Sequence, residues 1–117
     1  MLLCLAGCIG WGDDLFSERS IIGQYRLKAW EDGSFYLLTP ADTTDIFHGA
    51  PVQRVGWDSS HVLMLRPEAD SEPAVWTVID AATGQSRVLR TQAAVDSALA
   101  HIPTFRPDSA WDKLGSR

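Results

Sequence analysis

Tyr25, Leu27 and Ala29 alternate with Arg26, Lys28 and Trp30, so residues 21–30 carry the period-two pattern of a half-buried strand. Asp32-Gly33 follows, a pair suited to a two-residue type I′ turn because both central residues of that turn need positive φ. Residues 34–38 return as a second strand and stop at Thr39-Pro40. Residues 52–57 and 61–66 repeat the arrangement across Asp58-Ser59-Ser60. In residues 74–80, Val75, Thr77 and Ile79 alternate with Trp76 and Val78. A turn over 81–84 then uses Gly84 as its left-handed residue, and 85–90 returns.

Beyond the third hairpin the period changes. Val95, Ala98, Leu99 and Ile102 fall at i, i+3, i+4 and i+7, one apolar face of a helix. Thr91 is its expected N-cap and Pro103 its stop. A lone sheet has one face to cover, and this helix is the element available to cover it. The pattern therefore predicts a mainly β (α+β) fold: an antiparallel meander of about six strands in hairpins, with one C-terminal helix packed on the sheet. The domain proper runs over residues 20–103. Residues 104–117 read as a C-terminal tail in which Trp111 and Leu114, three apart, dock as a last helical turn.

The apolar opening has a different character. Met1-Leu2-Leu3-Cys4-Leu5 leads into Ala6-Gly7-Cys8, and Leu5-Ala6-Gly7-Cys8 resembles the lipobox of a bacterial lipoprotein. The resemblance implies that residues 1–7 are a signal segment, that Cys8 is the site of lipid attachment, and that 8–19 is a linker. No Lys or Arg precedes Leu2, so the resemblance also implies a start codon further upstream. Read without the resemblance, the same residues are a buried N-terminal strand. They are too few for a spanning helix, which needs ~20 apolar residues. Several acyl chains on one cysteine, at about 0.8 kcal/mol per buried methylene, give stable anchoring to membrane lipid. By resemblance to lipoprotein sorting, Ile9 in place of Asp after the cysteine implies the outer membrane of a Gram-negative cell, with the domain on its periplasmic side.

Composition fits a single packed domain of 117 residues, and the net charge of −5 turns the choice of partner away from nucleic acid and from a polybasic grip on anionic lipid. Both cysteines, Cys4 and Cys8, lie in the opening, and the lipobox resemblance, which removes Cys4 with the signal and puts lipid on Cys8, implies a mature domain with neither thiol nor disulfide.

Candidate chemistry is sparse. No nucleophile elbow, His-Glu-x-x-His pair or phosphate-binding glycine loop is present, and neither cofactor nor metal is expected. Asp13 and Asp14 are adjacent and point apart on extended backbone. The loop 41–50 carries Asp42 and Asp45 without the spacing of a calcium loop, and turn chemistry accounts for it. His48 with Asp45, or His61 with Asp58, would be the fragments of a catalytic or zinc site, although each pair is three apart in a turn-rich stretch where a local hydrogen bond accounts for it; His101 stands at a helix end where the dipole favours it. Five tryptophans are more suggestive. Trp30, Trp57 and Trp76 sit on or beside strands, where they form either core or an exposed binding face.

Val55-Gly56-Trp57-Asp58, its following apolar strand, and Trp76-Thr77-Val78-Ile79-Asp80 resemble small uncharacterised bacterial lipoproteins of a domain-of-unknown-function type. That resemblance spans residues 21–102 and implies the anchor and the fold but no activity. The WD dipeptide and the strand-turn after Trp76 are also similar to propeller repeats, yet about six strands cannot make the ~4 blades a propeller needs. The expectation is a lipid-anchored, periplasmic, non-catalytic binding or envelope-accessory module, with an envelope protein as a possible partner. The alternatives are an acidic inhibitor or immunity-type protein that presents Asp42, Asp45 and residues 68–72 to a basic enzyme, and a hydrolase using His48 or His61.

Overall fold

A computed structural model describes residues 18–43, 46–69 and 71–115. Cys8, the signal segment, Asp13, Asp14 and Asp45 lie outside the described residues. Two antiparallel sheets form. The smaller comprises β1 (Glu18–Ile22), β2 (Tyr25–Ala29) and β3 (Phe35–Leu38) in that order. The larger comprises β4 (Arg54–Trp57), β5 (His61–Pro67), β6 (Ala74–Asp80), β7 (Ser86–Leu89) and β8 (Thr104–Phe105), ordered β7-β6-β5-β4-β8. Helix α1 (Gln92–His101) precedes β8, and α2 (Pro107–Gly115) follows it.

The mainly β antiparallel architecture is the expected one, with eight strands among the described residues where about six were expected. The difference has three causes. Residues 21–30 contain a tight turn at Gly23-Gln24, with Gly23 at φ 54°, so one expected strand is two. Glu18 and Arg19, expected in the linker, already pair with Lys28 and Leu27. The expected tail supplies β8 against β4 and then a full helix, α2. The turn between β2 and β3 also differs from the expected type I′ form. Gly33 alone is left-handed, at φ 91°, its N–H bonds to the Trp30 carbonyl at 3.0 Å, and the Trp30 N–H reaches the Ser34 carbonyl at 2.9 Å.

The sheets bury their facing sides together. Ile21, Tyr25, Leu27 and Leu37 of the small sheet meet Val55, Val62, Met64 and Ile79 of the large one, and Ala110 and Leu114 of α2 close the same core. Arg19 ties β1 to that helix: its Nη1 donates to the Trp111 carbonyl at 2.7 Å, and the guanidinium lies 4.3 Å over the Trp111 ring. The other side of the large sheet carries Leu63, Leu89, Trp76 and Val78, covered by Ala94, Val95, Ala98 and Ile102 from α1 and the residues after it. Thr91 caps α1 as expected, accepting from the Ala94 N–H at 3.1 Å. Leu99, expected on the packed face, is 38% exposed and Ala94 packs there instead. The order of layers is therefore small sheet, large sheet, α1. No helix among the described residues is long and apolar enough to cross a membrane.

Candidate functional groove on the outer face of the large sheet

A concave surface lined by several polar side chains lies beside α1. It begins with the turn between β4 and β5. Asp58 Oδ1 accepts from the Ser60 N–H at 2.8 Å and the His61 N–H at 2.7 Å, and the Asp58 N–H returns to the His61 carbonyl at 3.1 Å. These bonds fix the first residue of β5. The His61 Nδ1 lies 3.3 Å from Asp58 Oδ1 and 2.9 Å from Ser60 Oγ. A carboxylate can only accept, so it favours the tautomer with its proton on Nδ1. Hydrogen bonds from Ser60, then from the His61 backbone and ring, hold the Asp58 carboxyl below its ordinary value against the opposing effect of burial.

Sheet register carries the pattern across three strands. Leu63 stands opposite Val78 and Val78 opposite Arg87, so these residues share the α1 side with His61 and Asp80, which also pair. Two adjoining hollows of about 590 and 400 Å³ both use His61, Val78 and Arg87, and together form one groove. Asp80 and Gln85 line the outer part; Asp58, Ser97 and His101 line the part under α1. His101 Nδ1 lies 2.8 Å from the Ser97 carbonyl, which can only accept, so its proton is on Nδ1 as well. Among the described residues no partner reaches Nε2 of either imidazole.

The groove therefore offers an arginine, two imidazole edges and an apolar floor, flanked by two aspartates. It does not build a nucleophile relay. Ser60 Oγ and Asp58 meet the same nitrogen of His61, whereas a nucleophile and an orienting carboxylate need opposite nitrogens of the base. Asp80 is further engaged with its own turn, accepting from the Ala82 and Thr83 N–H groups at 2.9 and 3.2 Å.

The other expected site residues are dispersed. Trp57 packs with Phe105 at 5.5 Å between centroids and lies against the inter-sheet core, while Trp76 lies on the α1 side of the same sheet. Trp30, 42% exposed, directly follows β2 of the small sheet and meets Phe47 edge-on at 5.7 Å. The three rings share no face, because Trp57 and Trp76 alternate to opposite sides of one sheet. Asp42 does not project as an acidic loop. It is buried and accepts from the Thr39 N–H at 2.8 Å and hydroxyl at 3.1 Å, with His48 Nδ1 at 3.2 Å. His48 is thus seen with Asp42, where Asp45 was expected. Glu68 lies 3.8 Å from Arg90 on the surface. Among the described residues no group of His, Cys, Asp and Glu could hold a metal ion.

Arg87 and Asp80 were not singled out in the sequence, although alternation along β5, β6 and β7 places residues 61, 63, 78, 80 and 87 on one side. Comparison with known protein families, with characterised proteins and with solved structures finds no match.

Proposed function

We propose that this chain is a non-catalytic binding module of the cell envelope, tethered to membrane lipid through Cys8, which takes a polar partner in the groove beside α1. The observation that supports binding is the fixing of His61. Its Nδ1 is committed to the β4–β5 turn, so Nε2, Arg87 and His101 present directional contacts over an apolar floor, the composition of a recognition site. The Ser60 hydroxyl and the Asp58 carboxylate share one nitrogen of His61, so hydrolysis has no support from this geometry. The inhibitor reading has none from Asp42, whose carboxylate faces its own loop.

The tether is tested by intact mass and membrane fractionation of the chain expressed from its natural upstream sequence in a Gram-negative host, beside Cys8→Ser. The expected result is a lipid-shifted mass beginning at Cys8, in the membrane fraction, and lost in the variant. A soluble chain retaining residues 1–7 overturns it. The groove is tested in the same cells with a photo-crosslinking residue at Arg87 and, as control, at Glu31 on the β2–β3 turn. A discrete adduct specific to position 87 supports the reading, and equal labelling at both positions overturns it.

A further inference from the structure

A second concave site lies at the opposite side of the large sheet, where the mouth between the two sheets opens under the loop from β3 to β4. Alternation along β5 directs Val62 and Met64 into the inter-sheet core, and Arg66 is the next residue in that row. Its guanidinium is tucked against Gly49. That residue is left-handed at φ 94°, and any side chain there would collide with the arginine head. Arg66 Nη1 is fully buried and has no hydrogen-bond partner among the described residues. Half-buried arginines elsewhere are paired: Arg19 bonds the Trp111 carbonyl, and Arg26 reaches Glu18 together with the Thr39 and Asp42 carbonyls. A half-buried guanidinium with one nitrogen unpaired carries a desolvation cost that an anion at its accessible side would offset through charge.

The surroundings define that anion. Arg66 lines a cleft of about 340 Å³ together with Tyr25, Thr39, Met64, Ile79 and Ser86. Tyr25 is an otherwise buried core residue whose hydroxyl reaches the Gly84 end of this cleft, so it brings a hydrogen-bonding group to an apolar wall. Met64 and Ile79 supply that wall, and Thr39 and Ser86 are also among the lining residues. The planar fork of an arginine matches a carboxylate in two parallel hydrogen bonds. The charge of Asp42 also acts on Arg66, so a group with a single negative charge is favoured over a dianion such as phosphate. We propose that the Arg66 cleft binds a small aliphatic monocarboxylate, its carboxylate on the Arg66 guanidinium and the Tyr25 hydroxyl, its chain against Met64 and Ile79. This site is separate from the groove beside α1 and stands or falls independently of it.

Amide NMR titration of the full chain with sodium hexanoate, with hexanamide and with inorganic phosphate tests it. Hexanoate is expected to give saturable shifts at Thr39, Ala41, Met64 and Ser86, while hexanamide, the same shape without the charge, binds at least about tenfold more weakly. Arg66→Gln is expected to weaken hexanoate by a similar factor, and Tyr25→Phe by a smaller one. The comparison of hexanoate with hexanamide needs no substitution, so it decides the question even if Arg66→Gln fails to fold. No saturable shift from hexanoate overturns the proposal. So does equal binding of hexanamide, undiminished binding by a folded Arg66→Gln, or phosphate binding as tightly at the same residues.

Discussion

Asp42 Oδ1 and His48 Nδ1 meet at 3.2 Å across the loop between β3 and β4, with the aspartate side chain 6% exposed and the histidine 83%. The contact is lopsided, and the aspartate is its structural half. Asp42 also receives the Thr39 amide and hydroxyl, and its backbone carbonyl takes Arg26 Nη2 at 2.8 Å. One carboxylate thus joins the end of β3 to the loop that covers Arg66.

Acid should loosen this loop. Burial works to raise the Asp42 carboxyl, but the Thr39 amide, His48 and the Thr39 hydroxyl outweigh it and hold it below the ordinary value. Asp58 is held low in the same sense by the Ser60 amide and His61. A carboxyl lower in the folded than in the unfolded chain contributes fully above its unfolded value and loses that contribution as pH falls through its folded value. Thermal unfolding followed from pH 7 to pH 2 should therefore show the melting temperature falling below about pH 4. In Asp42→Asn the fall should be shallower and stability at pH 7 lower by about 1–2 kcal/mol.

Gly56 sits where β4 is crossed by the chain entering β8. A side chain there would overlap the carbonyl of Pro103, a backbone atom that cannot rotate away. Gly56→Ala should cost about 3 kcal/mol, seen as a lower urea midpoint, and should part β8 from β4. An unchanged midpoint would show that the chain passes elsewhere.

The two helices should respond in opposite ways to truncation. Leu114 of α2 is buried in the inter-sheet core, and Leu114→Ala should cost about 2–5 kcal/mol. Leu99 of α1 is 38% exposed, and Leu99→Ala should fall within about 0.5 kcal/mol of the parent. Denaturant unfolding of both variants makes the comparison, and equal losses would contradict the packing described.

The β4–β5 turn separates cap from ring. Asp58→Ala removes the acceptor of two backbone N–H groups and should cost about 1–2 kcal/mol. His61→Ala removes a half-exposed ring and should cost under about 1 kcal/mol. Calorimetry that ranked them in reverse would mean the imidazole, and not the carboxylate, organises the turn.

Much of this fold was legible because its signals are local. Asp58-Ser59-Ser60 and the turn ending in Gly84 bracket their strands with residues whose chemistry is confined to the turn. Thr91 and Pro103 bracket α1 equally well. The Gly23-Gln24 turn was hidden. Apolar residues at 21, 25, 27 and 29 keep their parity across it, and the register shift between Ser20 and Ile22 lets both Ile21 and Ile22 lie against the core. Helix α2 was legible only as a turn, since its apolar residues are few and its place depends on Arg19, far away in sequence. The groove was half legible. His61 and Asp58 are neighbours in the chain, whereas Arg87 joins them through strand pairing that no local pattern encodes. Arg66 could have been found, because it continues the inward row of Val62 and Met64 as a charge where an apolar residue belongs.

The docking of α2 sets an order on how this molecule is made. The residues of β1 and β4 that face the inter-sheet core acquire their last cover from a segment translated after every strand. A nascent chain thus holds the residues of both sheets before it holds the helix that roofs their shared core. Any machinery that must handle this polypeptide unfolded has that whole interval in which to do so.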